Sequence, residues 1–246
     1  MTETIESHWN VLPHGDLQEL EDDILTVVGQ IRMPLGHLPR RMTVVRLRDR
    51  RLIIWSAIAL DEASMSQLEA YGTPAFMIVP NDHHRYDAHA WKQRYPQLQV
   101  VAPAGASEKV AKKVAVDTSA PDFGDPNVHM YTIDGTRARE AALIVRTAMG
   151  TTLILNDIVG NIHNASGMSG WMLRVTGFAG ETPQVPKVVK FAMVEDTEAL
   201  RNQLLQLAKI DSLIRIIVSH GDPIETNPHY QLHMLADTLA KVPRAA

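Results

Sequence analysis

Cysteine is missing from all 246 residues. Its absence excludes disulfides, thiolate nucleophiles and Cys-ligated zinc, so any metal must be held by His, Asp, Glu or Asn. A basic excess is missing too. The formal net charge is −4 and the pI near 6.2, which argues against a nucleic-acid partner, because phosphate binding needs a cationic footprint. No apolar run approaches the roughly 18 residues of a membrane span. The start, Met1-Thr-Glu-Thr-Ile-Glu-Ser7, has neither the basic n-region nor the apolar h-region of a secretory signal. These absences set the expectation of a cytoplasmic protein with no membrane partner and no nucleic-acid partner. With 45% apolar and 21% charged residues, the composition is that of an ordinary globule able to build a sizeable core.

One stretch organises the chain. Residues 75 to 79 form a short run with no polar member, which suits a strand covered on both faces, and Pro80 cannot donate to a ladder, so the strand ends there. Asn81-Asp82-His83-His84-Arg85-Tyr86-Asp87-Ala88-His89 follows at once. Imidazoles and carboxylates at the C-terminal end of a strand, where loops of α/β sheets splay open, are what a divalent cation with N/O preference requires. The plainer reading makes His83 and His84 solvated turn residues and His89 a helix-surface residue.

In chain order, residues 1 to 23 read as a polar, acidic lead-in, and residues 24 to 246 as one domain whose halves run from about 24 to 116 and from about 128 to 246. Ile24 to Ile31 predicts a strand, and Met42 to Leu47 and Leu52 to Ser56 flank a charged turn as a hairpin. Asp61 caps a helix through Ala70, with Gly72 just past its end. After the polar cluster come a short helix from Asp87 to Arg94, a strand from Leu98 to Ala102 and a helix from Ser107 to Val114, a βαβα rhythm. A Pro/Asp/Gly-rich loop from Asp117 to Asn127 separates the halves. Val128 to Ile133, Glu140 to Arg146 and Thr151 to Leu155 predict three strands, joined by turns at Gly135 and Gly150. Thr197 caps a helix from Glu198 to Lys209, Leu213 to Val218 is a strand, and Asn227-Pro228 opens the last helix.

Three apolar strands therefore run into metal-capable residues: 75 to 79 into His83 and His84, 151 to 155 into Asp157, and 213 to 218 into His220. In a mixed α/β arrangement such ends share one rim. This recurrence is the strongest signal in the chain, since a lone His is more often structural or solvated. His84 and Asp87, three residues apart, share a helical face, which fits Asp87 fixing the tautomer of His84. His84 and His89, five apart, diverge by about 140° and cannot chelate one ion together.

The segment order, with the Pro80-Asn81-Asp82-His83-His84-Arg85 loop, the Thr152-Leu-Ile-Leu-Asn-Asp157 strand end and the terminal His220-Gly221, resembles the metallo-β-lactamase superfamily over roughly residues 24 to 225. The likeness is greatest to a bacterial branch of it with a Pro-Asn-x-x-His-Arg loop. The resemblance implies an α/β fold, a four-layer αββα sandwich. It also implies a degenerate metal motif. The superfamily loop Thr-His-x-His-x-Asp-His falls on Pro80, Asn81, His83, Arg85 and Tyr86 at its named positions, and Asp134-Gly135-Thr136 stands where a further His ligand is expected. Asp157 matches the bridging carboxylate and His220 the last His.

What remains is His83 or His84, Asp157 and His220 as metal ligands, with Asn81, Asp87 and His89 in supporting places. Three protein ligands suffice for one catalytic ion, and Arg85, standing where a carboxylate is expected, repels a second. The expectation is at most one divalent metal (zinc, iron or manganese) and a hydrolase in which Asp157 and Arg85 take part, Arg85 holding an anionic leaving group of an ester, lactone or phosphoester. The competing expectation is a catalytically inactive member of the fold that binds a small ligand or a protein.

Other features carry less. Arg40, Arg41, Arg46, Arg48, Arg50 and Arg51 read as a solvated face of a hairpin more readily than as a phosphate site. Ser219 lacks the Gly-x-Ser-x-Gly elbow of serine hydrolases. Asn164-Ala-Ser-Gly and Gly167-Met-Ser-Gly170 lack the setting of a phosphate loop. Met168, Met172 and Met193 read as packing residues. The apolar segment from 165 to 175 is the expected face of a possible homodimer.

Overall fold

The computed structural model describes residues 8–33, 36–163 and 167–240. Residues 1–7 of the lead-in and residues 164–166 of the Asn164-Ala-Ser-Gly motif lie outside the described residues. The chain divides between Val128 and His129 into two compact units.

The first unit carries a six-stranded sheet in simple sequence order. Its strands are β1 (Gln18–Glu21), β2 (Ile24–Met33), β3 (Gly36–Arg46), β4 (Arg51–Trp55), β5 (Thr73–Ile78) and β6 (Gln99–Val101). The first four pair antiparallel, and β4, β5 and β6 pair parallel, each joined to the next by a helical crossover. Those helices are α1 (Glu62–Tyr71) and α2 (Ala88–Arg94), and α3 (Ala104–Ala111) follows β6. Alternation sends Leu25, Val27, Met42, Val44, Leu52 and Ile54 to one face of the sheet, where they pack with Met65 and Leu68 of α1, Trp91 of α2 and Val110 of α3. Met65 and Leu68 are fully buried, and burying each contributes about 1.5–3 kcal/mol.

Local chemistry sets the ends of these elements. Asp61 accepts a hydrogen bond from the Ser64 N–H at 2.8 Å, which holds its carboxyl below the ordinary carboxylate range and starts α1 as the sequence predicts. α3 begins three residues earlier than expected, because Pro103 takes the extended conformation just ahead of a helix. The lead-in is more ordered than its polarity predicts. It forms β1, and Trp9 donates to the Leu60 carbonyl at 2.7 Å and lies 5.5 Å from the Trp91 ring.

Two of the hairpin arginines depart from the solvated face expected of them, whereas Arg48 and Arg50 are exposed as expected. Arg40 and Arg41 are buried, and Arg41 donates to the Thr26 hydroxyl at 3.0 Å. Arg46 binds Asp23, Arg50 binds the Ala70 carbonyl, and Arg51 spans Asp49 and the Phe123 carbonyl. These side chains tie the turns of the unit together, a role that alternation along the sequence does not reveal.

The second unit holds a four-stranded sheet in the order β10-β9-β8-β7, formed by β7 (Val128–Thr132), β8 (Ala141–Arg146), β9 (Thr151–Asn161) and β10 (Leu213–Gly221). β8 and β9 form an antiparallel hairpin through Gly150, whose φ of 145° suits glycine. β9 and β10 pair parallel. Between them run α4 (Gly167–Thr176), α5 (Lys187–Met193) and α6 (Thr197–Leu207), and α7 (Pro228–Ala240) closes the described chain. Leu153, Leu155, Ile216 and Val218 of the sheet pack with Leu200 and Leu204 of α6 and Leu232 and Leu235 of α7.

Two differences from the sequence reading stand out here. The cap of α6 is Asp196, one residue ahead of Thr197, and its carboxylate accepts from the Glu198 and Ala199 N–H groups at 3.0 Å each. α4 and α5 were not expected, because their buried residues are few (Gly170 and Leu173; Val189 and Met193) while Met168, Trp171, Val188 and Phe191 face outward. Met193 is packed as the sequence predicts, and Met168 is not. Among the described residues no helix is long and apolar enough to cross a membrane.

Candidate metal centre

β9 does not stop where its apolar run stops. It continues through Asp157 to Asn161, and every residue of it is buried. The register explains how a carboxylate fits there. Val218 of β10 faces Leu155 of β9, but the next pair is His220 with Gly160, so residues 156 to 159 stand opposite Ser219 alone. This bulge takes Asp157 out of the regular ladder and re-aims its side chain, the usual use of bulges beside functional sites. Buried Glu140 steadies it by accepting the Ile158 N–H at 3.2 Å.

The bulge brings Asp157 to His220. The Asp157 carboxylate oxygen lies 3.0 Å from the His220 Nε2, with the two side chains 7% and 3% exposed. Two donors held about 2.1 Å from one cation at a tetrahedral angle are themselves about 3.4 Å apart, so this spacing is close to a shared coordination sphere. The His220 ring is fixed by the edge of Phe178, 5.1 Å away at 76°. Its backbone is fixed by Gly221, where φ is 120° and a Cβ would come within 2.1 Å of the Asn161 carbonyl oxygen. The Asn156 amide and the Ser219 hydroxyl, neighbours of the pair in sequence, are buried with no hydrogen-bond partner among the described residues. Such groups are costly unless something polar reaches them.

The polar loop of the first unit follows β5. Asn81 is fully buried, and its side-chain oxygen accepts the backbone N–H groups of His83 at 2.8 Å and His84 at 3.1 Å. It shapes the loop in an Asx turn. His83 turns outward, its side chain 61% exposed. His84 is half-buried, and its Nδ1 lies 2.6 Å from the Ser56 hydroxyl. Of the two histidines that the sequence leaves open, His84 is the one held in place. Arg85 donates to the Lys109 carbonyl of α3 and so anchors the loop. His89 is half-buried on α2.

Asp87 forms a buried ion pair with Arg40, the two side chains 4% and 5% exposed, so the sequence assignment of Asp87 to the His84 tautomer meets a competing use. The group at His84 Nδ1 is Ser56. Arg40→Met, which strands Asp87 without its cation, should cost about 3–5 kcal/mol. Urea unfolding of the variant against the parent measures it.

Three residues of these sites were absent from the sequence reading: Ser56, Glu140 and Asn156. Only Asn156 carried a signal, as the polar residue preceding Asp157 in an apolar run.

Solved structures with the same arrangement of elements are metallo-β-lactamases. FIM-1 from Pseudomonas aeruginosa, in its mono-zinc form, matches with a TM-score of 0.63 over 95% of this chain and 98% of its own at 12% identity. The fold is that of the metallo-β-lactamases. A metallo-β-lactamase from Erythrobacter litoralis matches with a TM-score of 0.62 over 93% of this chain and 100% of its own at 13% identity. DIM-1, exposed to ceftazidime, gives 0.62 over 93% and 99% at 14% identity. No family model and no curated protein sequence matches the chain. In the second unit, Asp157 and His220 offer one carboxylate and one imidazole with no thiolate, a donor chemistry of the N/O kind that divalent cations take.

Proposed function

We propose that this protein is a metal-dependent hydrolase that works with one divalent cation, its ligands being the candidates that the sequence names, His84, Asp157 and His220. The observation that carries the reading is the buried Asp157–His220 pair at 3.0 Å, built on a strand bulge in a metallo-β-lactamase fold. The matches to that fold extend over more than nine-tenths of the chain. Two neutral imidazoles and one carboxylate leave a net positive charge at the site, and three protein donors leave a position open for water or substrate. A divalent cation in such a site lowers the pKa of water toward neutrality and polarises a carbonyl or phosphoryl oxygen.

The chain's own residues do the rest. The bulge and Glu140 hold Asp157 in place, Phe178 and Gly221 fix the His220 ring, and Asn81 fixes the loop that bears His84. The Asn156 amide and Ser219 hydroxyl, buried without a partner among the described residues, stand next to Asp157 and His220 in sequence and are the candidates to meet a polar ligand. The substrate class is an ester, lactone or phosphoester. The second reading, a ligand-binding module without catalysis, draws on the absence of the remaining ligands of the superfamily loop.

Elemental analysis after purification without chelator should find close to one equivalent of zinc, iron or manganese per chain. Removing it with a chelator should lower the melting temperature, because a ligand bound only to the folded state at 100 times its Kd stabilises by about 2.7 kcal/mol. Hydrolysis of p-nitrophenyl esters, lactones and phosphodiesters that is lost with the metal and restored by it supports the enzyme. Bound metal with no turnover across that panel favours the binding module, and no metal at any supplied concentration ends the hydrolase reading and leaves the binding module.

A further inference from the structure

Ser56 is the first residue after β4, and two features of it have no structural need in common. Its φ is 56°, in the left-handed region that non-glycine residues rarely occupy. It is also buried, 2% exposed, with its hydroxyl 2.6 Å from His84 Nδ1 and its N–H bonded to the Ile78 carbonyl at 3.1 Å. A turn that needed only this backbone geometry would be served better by glycine, which adopts it without strain. A serine kept in a strained conformation points to a use for the hydroxyl, and residues so held cluster at functional sites.

The hydroxyl meets one atom that matters. A neutral imidazole carries its proton on one nitrogen and its lone pair on the other, and the hydrogen bond at one nitrogen decides which. We propose that Ser56 is the positioning residue of the metal site: its Oγ accepts the Nδ1–H of His84, which fixes the ring's orientation and leaves the Nε2 lone pair for the cation. The inference rests on the proposed function for its consequence, but the Ser56–His84 interaction itself does not require a metal. Asn81 holds the same histidine by its backbone N–H, so main chain and ring are fixed from two separate elements. Neither contact is visible from the spacing of residues in the sequence.

Ser56→Gly and Ser56→Ala separate strain from positioning. Both remove the hydroxyl, but only glycine relaxes the backbone. The metal-free Ser56→Gly protein should melt at or above the parent temperature and Ser56→Ala below it, while both bind Zn2+ roughly 10- to 100-fold more weakly in competition with a chromophoric chelator, the usual effect of losing a ligand's orienting partner. In the metal-free parent, the nitrogen NMR shifts of His84 should show one tautomer with the proton on Nδ1, and in both variants an averaged pair. Unchanged zinc affinity in the two variants, with a parent that binds zinc, overturns the positioning role and leaves the proposed function standing. A parent that binds no zinc but shows the fixed tautomer overturns the proposed function and keeps the Ser56–His84 contact. A parent with averaged shifts overturns the contact itself.

Discussion

Asp157→Ala should abolish retention of the metal and lower the melting temperature of the metal-free protein by about 2–12 °C. The second effect follows from the contact itself: Asp157 and His220 are both buried and 3.0 Å apart, and removing one partner leaves the other buried without its hydrogen bond, which costs about 1–3 kcal/mol. For a chain of 150 to 250 residues each kcal/mol corresponds to about 2–4 °C. Asp157→Asn divides the two effects. The amide keeps the shape and a hydrogen-bonding oxygen for His220, so most of the stability remains, but the charge that favours a cation is gone and zinc should still be lost. Elemental analysis and calorimetry of the two variants measure this directly. Full zinc occupancy in Asp157→Asn removes Asp157 from the ligand set. An equal drop in melting temperature for both variants makes charge, not contact, the basis of the pair.

Gly221→Ala should destabilise by more than about 3 kcal/mol, among the largest effects of any single methyl in the chain. The φ of 120° is outside the range of L-residues, and the added carbon would sit 2.1 Å from the Asn161 carbonyl oxygen, a backbone atom that cannot step aside. That oxygen accepts the Asp222 N–H at 3.0 Å, and the Asn161 amide donates to the Asp222 carbonyl at 2.8 Å, so the clash falls on the joint between the ends of β9 and β10. Gly167→Ala is the matched control. Its φ of 66° is also positive, but nothing lies within 4 Å of the added carbon, so its cost should be about 1 kcal/mol. Chemical denaturation of the two variants, with soluble yield, decides the comparison. Similar losses in both would make backbone conformation, and not the close approach at residue 221, the determinant.

The elements that could be read from the sequence are those in which burial and local chemistry agree. β2, the β3–β4 hairpin, α1 with its Asp61 cap, β5, α2 and α7 all combine apolar periodicity with a capping or turn residue. α4 and α5 were invisible because their apolar residues lie largely on the exposed side, and β1 because four residues at a sheet edge carry little pattern. The same logic governs the site. Asp157 and His220 were legible because each interrupts an apolar strand, an unusual event that marks a carboxylate or an imidazole inside a core. What the sequence could not supply was the bulge. It predicts β9 ending at Leu155, since a charged residue inside a buried strand is improbable until an irregular register makes room for it.

The supporting groups were harder still. Ser56 and His84 are 28 residues apart, and Arg40 and Asp87 are 47 apart; such contacts depend on sheet topology and have no local signature. Asp87 was assigned to its nearest chemical neighbour in sequence, and the fold adds an arginine of β3 as its ion-pair partner. His83 and His84 are adjacent and chemically identical, and what separates them in the fold is the Ser56 hydroxyl at the His84 ring, against an exposed His83.

The irregular register of β9 also divides labour along the strand. Residues 152 to 155 and 160 to 161 pair with β10, whereas 156 to 159 hang outside that pairing and bear the carboxylate. Substitutions in the inner four can therefore alter chemistry without sliding one strand past the other. The strand pairing and the groups it presents can thus be altered independently of each other.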